Sequence, residues 1–165
     1  MLSSLLVLST AFAAGDPDAE GDVVASIQIA AAPDVVHAYL MDLSNHADLA
    51  EKDCTRKWQL GERTDGVGAG ARLTYVAPPV WRRSLTMTII ESEPRRITID
   101  HPGNRGFVTT FDFEDPEAAD TNVTMHTWIN PPPKPLQGVY FKWVQPHWRD
   151  CQERFLASVA AAVAG

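Results

Sequence analysis

Between Trp58 and Ile129 the chain keeps a period of two, and beyond Pro131, Pro132 and Pro133 it changes to spacings of three and four. No other feature constrains the fold as much. Alternation sends successive side chains to opposite faces of a strand, whereas three-four spacing lines one face of a helix. Trp58 and Leu60 share one face of a short strand, and Leu73 and Tyr75 alternate with Arg72, Thr74 and Val76. Leu85, Met87 and Ile89 alternate with Ser84, Thr86 and Thr88; Ile97 and Ile99 mark the next strand. Phe107, Thr109, Phe111 and Phe113 alternate with Val108, Thr110 and Asp112, and Val123, Met125, Thr127 and Ile129 alternate in the last strand. Asp65-Gly66, Pro78-Pro79, Glu93-Pro94, His101-Pro102-Gly103-Asn104 and Asp115-Pro116 supply the turns between them.

The helical stripe reads Leu136, Tyr140, Trp143, Val144, His147, Cys151, Phe155, Val159 and Ala162. Its first half is wide and rich in rings, and its second half is narrow and alanine-lined. Such a helix is expected to lie tight against a sheet at one end and to stand off it at the other. Pro146 falls inside the helix and predicts a kink. Ahead of the strand series, Val23, Ala25, Ile27 and Ile29 share one face of a first strand. Ala31-Ala32-Pro33-Asp34 then opens a helix with Val36, Leu40 and Leu43 as its stripe, Ser44-Asn45 breaks it, and His46 to Lys52 suits a second short helix. The order is strand, helix pair, strands joined by short turns, long helix. Sequential hairpins imply an antiparallel sheet with one apolar face, which the terminal helix must cover. The expectation is one α+β domain over residues 23–165, without internal repeats.

Composition adds exclusions. Of 165 residues, 45% are hydrophobic and 21% charged, ordinary values for a globular chain. A net charge of −7 with no clustered Lys/Arg surface argues against nucleic acid. Leu2 to Phe12 is an uncharged apolar run followed by Ala11-Phe12-Ala13, a small-x-small cleavage pattern. Residues 1–14 therefore read as a signal peptide, with 15–22 as a flexible polar lead-in and an exported, periplasmic or secreted, protein as the result. No Lys or Arg precedes the run, so a disordered or mis-started tail on a cytoplasmic protein is the alternative. The run is too short to span a membrane, and no transmembrane segment is expected elsewhere. Cys54 and Cys151 are the two cysteines: a disulfide if the protein is exported, reduced thiols if it is cytosolic.

Motifs of known chemistry are few. Gly66-x-Gly68-x-Gly70 opens a strand and no Lys-Ser/Thr follows, so it is no phosphate loop. His37, His46, His101, His126 and His147 fall in separate elements, and the cysteine spacing fits no metal motif, so neither a metal nor a cofactor is expected. Asn122-Val123-Thr124 matches the acceptor pattern for N-glycosylation, which matters only in a eukaryotic secretory route.

Over Val23 to Val163 the chain resembles the START-like (SRPBCC) helix-grip superfamily, specifically its polyketide cyclase/dehydrase and lipid-transport group. The resemblance rests on the opening Ile29-Ala-Ala-Ala-Pro-Asp-Val-Val-His-Ala-Tyr-Leu, on Gly66-Val-Gly-Ala-Gly-Ala-Arg before a strand, on Glu91-Ser-Glu-Pro-Arg-Arg-Ile at a hairpin, and on the closing helix. It implies a seven-stranded antiparallel sheet wrapped around a long C-terminal helix, with two short helices after strand 1 and a hydrophobic cavity inside. That fold would direct Trp58, Leu73, Tyr75, Met87, Phe111, Met125, Thr127, Tyr140, Trp143 and His147 toward a ligand. His147 and Tyr75 would be the acid/base candidates if a reaction occurs. Trp81, Trp128 and Trp148 are expected on the outer face or at an edge, and His126 in solvent. The function implied is binding or transport of a small lipid-, sterol- or polyketide-like molecule. A cyclase/dehydratase-type enzyme and a ligand-free interaction scaffold are the alternatives.

Overall fold

A computed structural model describes residues 22–77, 81–103, 107–115, 118–129 and 133–164. The expected signal peptide, most of the lead-in, Pro78-Pro79, Pro131-Pro132 and the side chain of Trp81 lie outside the described residues.

Seven strands form one sheet: β1 (Val23–Ile29), β2 (Thr55–Leu60), β3 (Gly70–Ala77), β4 (Trp81–Glu93), β5 (Arg96–Asp100), β6 (Val108–Phe113) and β7 (Thr121–Trp128). Their order across the sheet is β1-β7-β6-β5-β4-β3-β2, and every pairing is antiparallel. The six strands after the helix pair are therefore consecutive hairpin neighbours, and β1 closes beside the last of them. The alternation read in the sequence sets the register. Leu73 faces Leu85, Ile99 faces Thr109 and Phe111 faces Met125, so one surface of the sheet is largely apolar.

Between β1 and β2 run α1 (Pro33–Leu40) and α2 (Leu43–Asp48). The second helix starts earlier than the Ser44-Asn45 break suggests. Asp42 occupies the N-cap, where Oδ1 accepts from the Ser44 backbone N–H at 2.9 Å, so Ser44 and Asn45 begin a helix instead of ending one. The glycine-rich loop 61–69 is a strap and not a tight hairpin turn. Leu43 N–H donates to Thr64 O, Gly66 N–H to Met41 O and Gly68 N–H to Ile89 O, tying the loop to the α1–α2 junction and to β4. Gly66 and Gly68 take φ of 73° and 90°, a region that side chains with a Cβ rarely adopt.

The terminal helix departs most from expectation. It comprises α3 (Lys134–Val139), a π-turn (Tyr140–Val144) and α4 (Gln145–Val163). Pro146 lies in the first turn of α4, just past the π-turn, where the Gln145 N–H reaches back five residues to Tyr140 O. The extra residue of a π-turn rotates everything downstream by about 100°, one residue's worth of helix. The face that reaches the sheet is consequently Tyr140, Val144, Trp148, Gln152, Leu156 and Val159, all buried. A uniform helix carrying Tyr140 inward would have buried Trp143 and His147 in place of Trp148, whereas Cys151, Phe155 and Val159 keep to the inner side as expected. Trp143 is 55% exposed, whereas Trp148, expected at the surface, is 6% exposed. Trp128 is partly exposed on the outer side of the sheet.

Two clusters of buried side chains result. The larger joins α1, α2 and the second half of α4 to the sheet through Val36, Leu40, Leu43, Ile89, Phe111, Leu156 and Val159. The smaller gathers Val23, Leu85, Phe107, Ile129, Tyr140, Val144 and Trp148 around the π-turn. The helix thus packs at both ends and stands off the sheet in its middle, because the rings at its start and the aliphatic residues near its end both find partners. No helix among the described residues is long and apolar enough to cross a membrane.

Candidate functional site

The gap between the two clusters is a cavity. Its volume is about 90 Å³. A single water needs about 10–15 Å³, so there is room for several waters or for a compact ligand. β3 to β7 form the floor with Tyr75, Met87, Ile99, Phe111, Met125 and Thr127, and α4 forms the roof with Trp148, Gln152 and Phe155. The α2–β2 segment frames the mouth with Leu49, Ala50, Glu51, Cys54 and Trp58.

Six of the ten residues read from the sequence line this space: Trp58, Tyr75, Met87, Phe111, Met125 and Thr127. Four do not. Leu73 is buried in the larger cluster and Tyr140 in the smaller, each filling core, and Trp143 points to solvent. His147 faces the α2–β2 loop, where Nε2 donates to the backbone O of Asp53 at 3.1 Å. The π-turn accounts for Trp143 and His147. The strand residues other than Leu73 line the cavity.

Rings dominate the inner wall. Tyr75 meets Phe107 and Trp148 with ring centroids 5.9 Å from each, and Phe107 meets His101 edge-on at 4.4 Å. Trp148 Nε1 donates to Val76 O at 3.3 Å, which satisfies the indole while its ring forms wall. Burial pushes the Tyr75 phenol up to about 12, so Tyr75 is a neutral hydroxyl at physiological pH. On the other side, His46 packs against Phe155 and Phe111, and its Nε2 donates to Leu40 O at 2.8 Å.

A single polar line crosses the apolar floor. Gln152 Nε2 donates to Thr127 Oγ1 at 2.8 Å, Thr127 Oγ1 lies 3.0 Å from Thr109 Oγ1, and Thr109 Oγ1 lies 3.2 Å from His101 Nε2. One proton order satisfies every link: Thr127 donates to Thr109, and Thr109 donates to a neutral His101. His101 suits it, since burial lowers its pKa to about 4, against an upward pull from the Thr86 backbone. At the ends, Gln152 Oε1 and His101 Nδ1 are buried without a hydrogen-bond partner of good geometry. Gln152 Oε1 is an acceptor on a residue that lines an apolar cavity, a costly position unless something donates to it. Sequence reading placed His101 in a turn and overlooked Thr109 and Gln152. Thr109 alternates with Phe107 and Phe111 and was legible; Gln152 was hidden by the face rotation.

At the mouth, Cys54 and Cys151 form a disulfide with Cα atoms 5.8 Å apart. Arg154 reinforces it, pairing with Glu51, with Asp53 at 3.0 Å and with Asp150 at 3.1 Å. His126, expected in solvent, pairs with Asp22 at 2.9 Å and stacks on Trp128. Asp22 also accepts from Gln145 Nε2 at 2.7 Å through its backbone O.

A curved antiparallel sheet closed over a long C-terminal helix, with a cavity between them, defines the helix-grip class of START-like (SRPBCC) proteins. The chain belongs to the polyketide cyclase/dehydrase and lipid transport family, whose sequence pattern spans residues 20–164. Among curated proteins, none matches it significantly. Solved structures do. KanY protein is 19% identical with a TM-score of 0.73, over 87% of this chain and 97% of that one. Norcoclaurine synthase from Thalictrum flavum, in complex with dopamine and hydroxybenzaldehyde, is 13% identical with a TM-score of 0.63, over 99% and 94%. Zhui aromatase/cyclase from Streptomyces sp. R1128 is 16% identical with a TM-score of 0.62, over 87% and 93%. At these identities the likeness shows the fold.

Proposed function

We propose that the protein binds a compact hydrophobic molecule of one or two rings that carries at least one hydroxyl or amine donor. The observation that carries this reading is the ring-lined cavity, in whose wall the Gln152–Thr127–Thr109–His101 line ends in a buried, unpartnered Gln152 Oε1. Apolar burial supplies the affinity, and a donor on the ligand would complete the Gln152–Thr127–Thr109–His101 line and fix its orientation. The size of the space favours a compact ring system over a sterol or a full acyl chain. Native mass spectrometry of the purified protein, followed by solvent extraction, should reveal such a compound, and a naphthalene-type fluorescent dye should be displaced by it. A protein that is consistently empty and binds no dye would sink this reading in favour of a ligand-free scaffold.

A catalytic reading has one observation in its favour: His101, neutral and hydrogen-bonded through Thr109, stands in the cavity beside Tyr75. Tyr75 would donate a proton, and His101 would accept one relayed through the Thr109 hydroxyl already bonded to its Nε2, during cyclisation or dehydration. Turnover of an aromatic polyketide-like substrate that survives both His101→Gln and Tyr75→Phe would rule that out. We further propose export from the cytoplasm, the setting in which the Cys54–Cys151 bond persists. Cell fractionation tests it, and a wholly cytoplasmic, reduced protein would contradict it.

A further inference from the structure

Three ligand atoms meet at the cavity mouth: Cys54 Sγ, Cys151 Sγ and His147 Nε2 lie within 4.8 Å of one another. We propose that reduction of the disulfide turns this clasp into a binding site for one zinc-class metal ion, held by two thiolates and an imidazole. The reading is independent of what the cavity binds.

The helix provides half of the geometry. His147 and Cys151 are four residues apart on α4, so both side chains rise from one face, and Nε2 lies 3.5 Å from Sγ. A tetrahedral ion with metal–N of about 2.0–2.1 Å and metal–S of about 2.3 Å holds its N and S ligands about 3.5 Å apart. The existing spacing already matches, and coordination requires only that His147 release Asp53 O and carry its proton on Nδ1 in place of Nε2. Cys54 approaches from the α2–β2 segment, and the two sulfurs need only part to about 3.8 Å, the edge of the same tetrahedron. Arg154 Nη2 donates to Cys54 Sγ at 3.1 Å, the kind of outer hydrogen bond that steadies a metal-bound thiolate. Asp53, whose carboxylate also lies within 4.8 Å of Cys54 Sγ, stands beside the fourth position. Two thiolates and an imidazole favour a soft or borderline ion such as zinc(II) over magnesium or calcium.

The conversion balances. A dithiol reductant closes to its own disulfide and passes two electrons and two protons to the Cys54–Cys151 bond, giving two thiols. Metal binding then forms two metal–sulfur bonds and releases both thiol protons to water. A small-molecule disulfide that takes up the two electrons and two protons, becoming two thiols, re-forms the Cys54–Cys151 bond and expels the ion. Because Cys54 and Cys151 line the cavity, the ion would sit on its rim.

The test uses the whole protein, reduced, desalted without air and titrated with zinc(II) alone against a chromophoric chelator. The reduced protein should take up one equivalent, and the oxidised protein none. Zinc should raise the thermal midpoint of the reduced form, and cobalt(II) in its place should show the thiolate charge-transfer band of a tetrahedral site. Cys54→Ser/Cys151→Ser should abolish uptake. His147→Ala, which keeps the disulfide and both thiols, should weaken it at least tenfold. If the reduced protein is partly unfolded, zinc should refold it, as read by near-ultraviolet circular dichroism. Uptake no greater than that of the double serine variant, or unchanged in His147→Ala, would overturn the proposal, as would a reduced protein that zinc neither stabilises nor refolds.

Discussion

Gln152 is the side chain on which the functional reading turns, and its two halves predict different behaviour. Its amide nitrogen is bonded to Thr127, whereas its oxygen has no partner, so removing the amide frees one buried acceptor and loses one bond. Gln152→Leu should therefore change stability by no more than about 1 kcal/mol while weakening a donor-bearing ligand about tenfold. Denaturant titration beside ligand titration separates the two. The buried imidazoles predict an acid response. Burial lowers both His46 and His101 from 6.5 to about 4. Between those values the unfolded chain binds the extra protons, so the stability these residues contribute is complete above pH 6.5. It declines as pH falls toward 4, by on the order of 3 kcal/mol for each group at the limit. Urea midpoints measured across that range should slope, and His101→Gln should flatten part of the slope. Among these residues Thr127 was legible from alternation and His101 was not. A histidine beside Pro102 and Gly103 reads as an exposed turn, and only the closing of the sheet buries it.

At the scale of elements, the strands were readable and the helix was readable only in outline. A strand's period of two holds between bulges, so Met87, Phe111 and Met125 fall on one face by alternation, and the resemblance to a helix-grip fold points that face inward. A helix face carries no such guarantee once a π-turn intervenes. The turn is written in no obvious residue pattern, although Pro146, which lacks the N–H for a regular bond back to Lys142, marks where the ladder is already broken. A pair of substitutions measures the rotation. Trp148→Ala should cost about 3–5 kcal/mol, the usual loss for a large buried ring, whereas Trp143→Ala should fall within about 0.5 kcal/mol of wild type. Equal costs at both positions would mean that α4 presents the other face. Thermal unfolding of the two variants decides it.

For the molecule as a whole, the architecture of one sheet and one covering helix followed from the change of period. The disulfide did not, because two cysteines leave pairing and redox state open. Its bond joins positions separated by 97 residues and pins the α2–β2 segment to α4. In a chain-entropy account a loop of that length is worth up to about 4–5 kcal/mol. Reduction should lower the urea midpoint accordingly while the far-ultraviolet circular dichroism spectrum of the folded protein keeps its shape. The space left between the two buried clusters has a mechanical consequence as well. Unfolding eliminates internal voids and lets water fill their volume, so hydrostatic pressure favours the unfolded chain in proportion to the emptiness of the cavity. The protein should be soft toward compression when vacant and stiff when its ligand is in place. Pressure thereby offers a way to tell an occupied molecule from an empty one before the occupant has been identified.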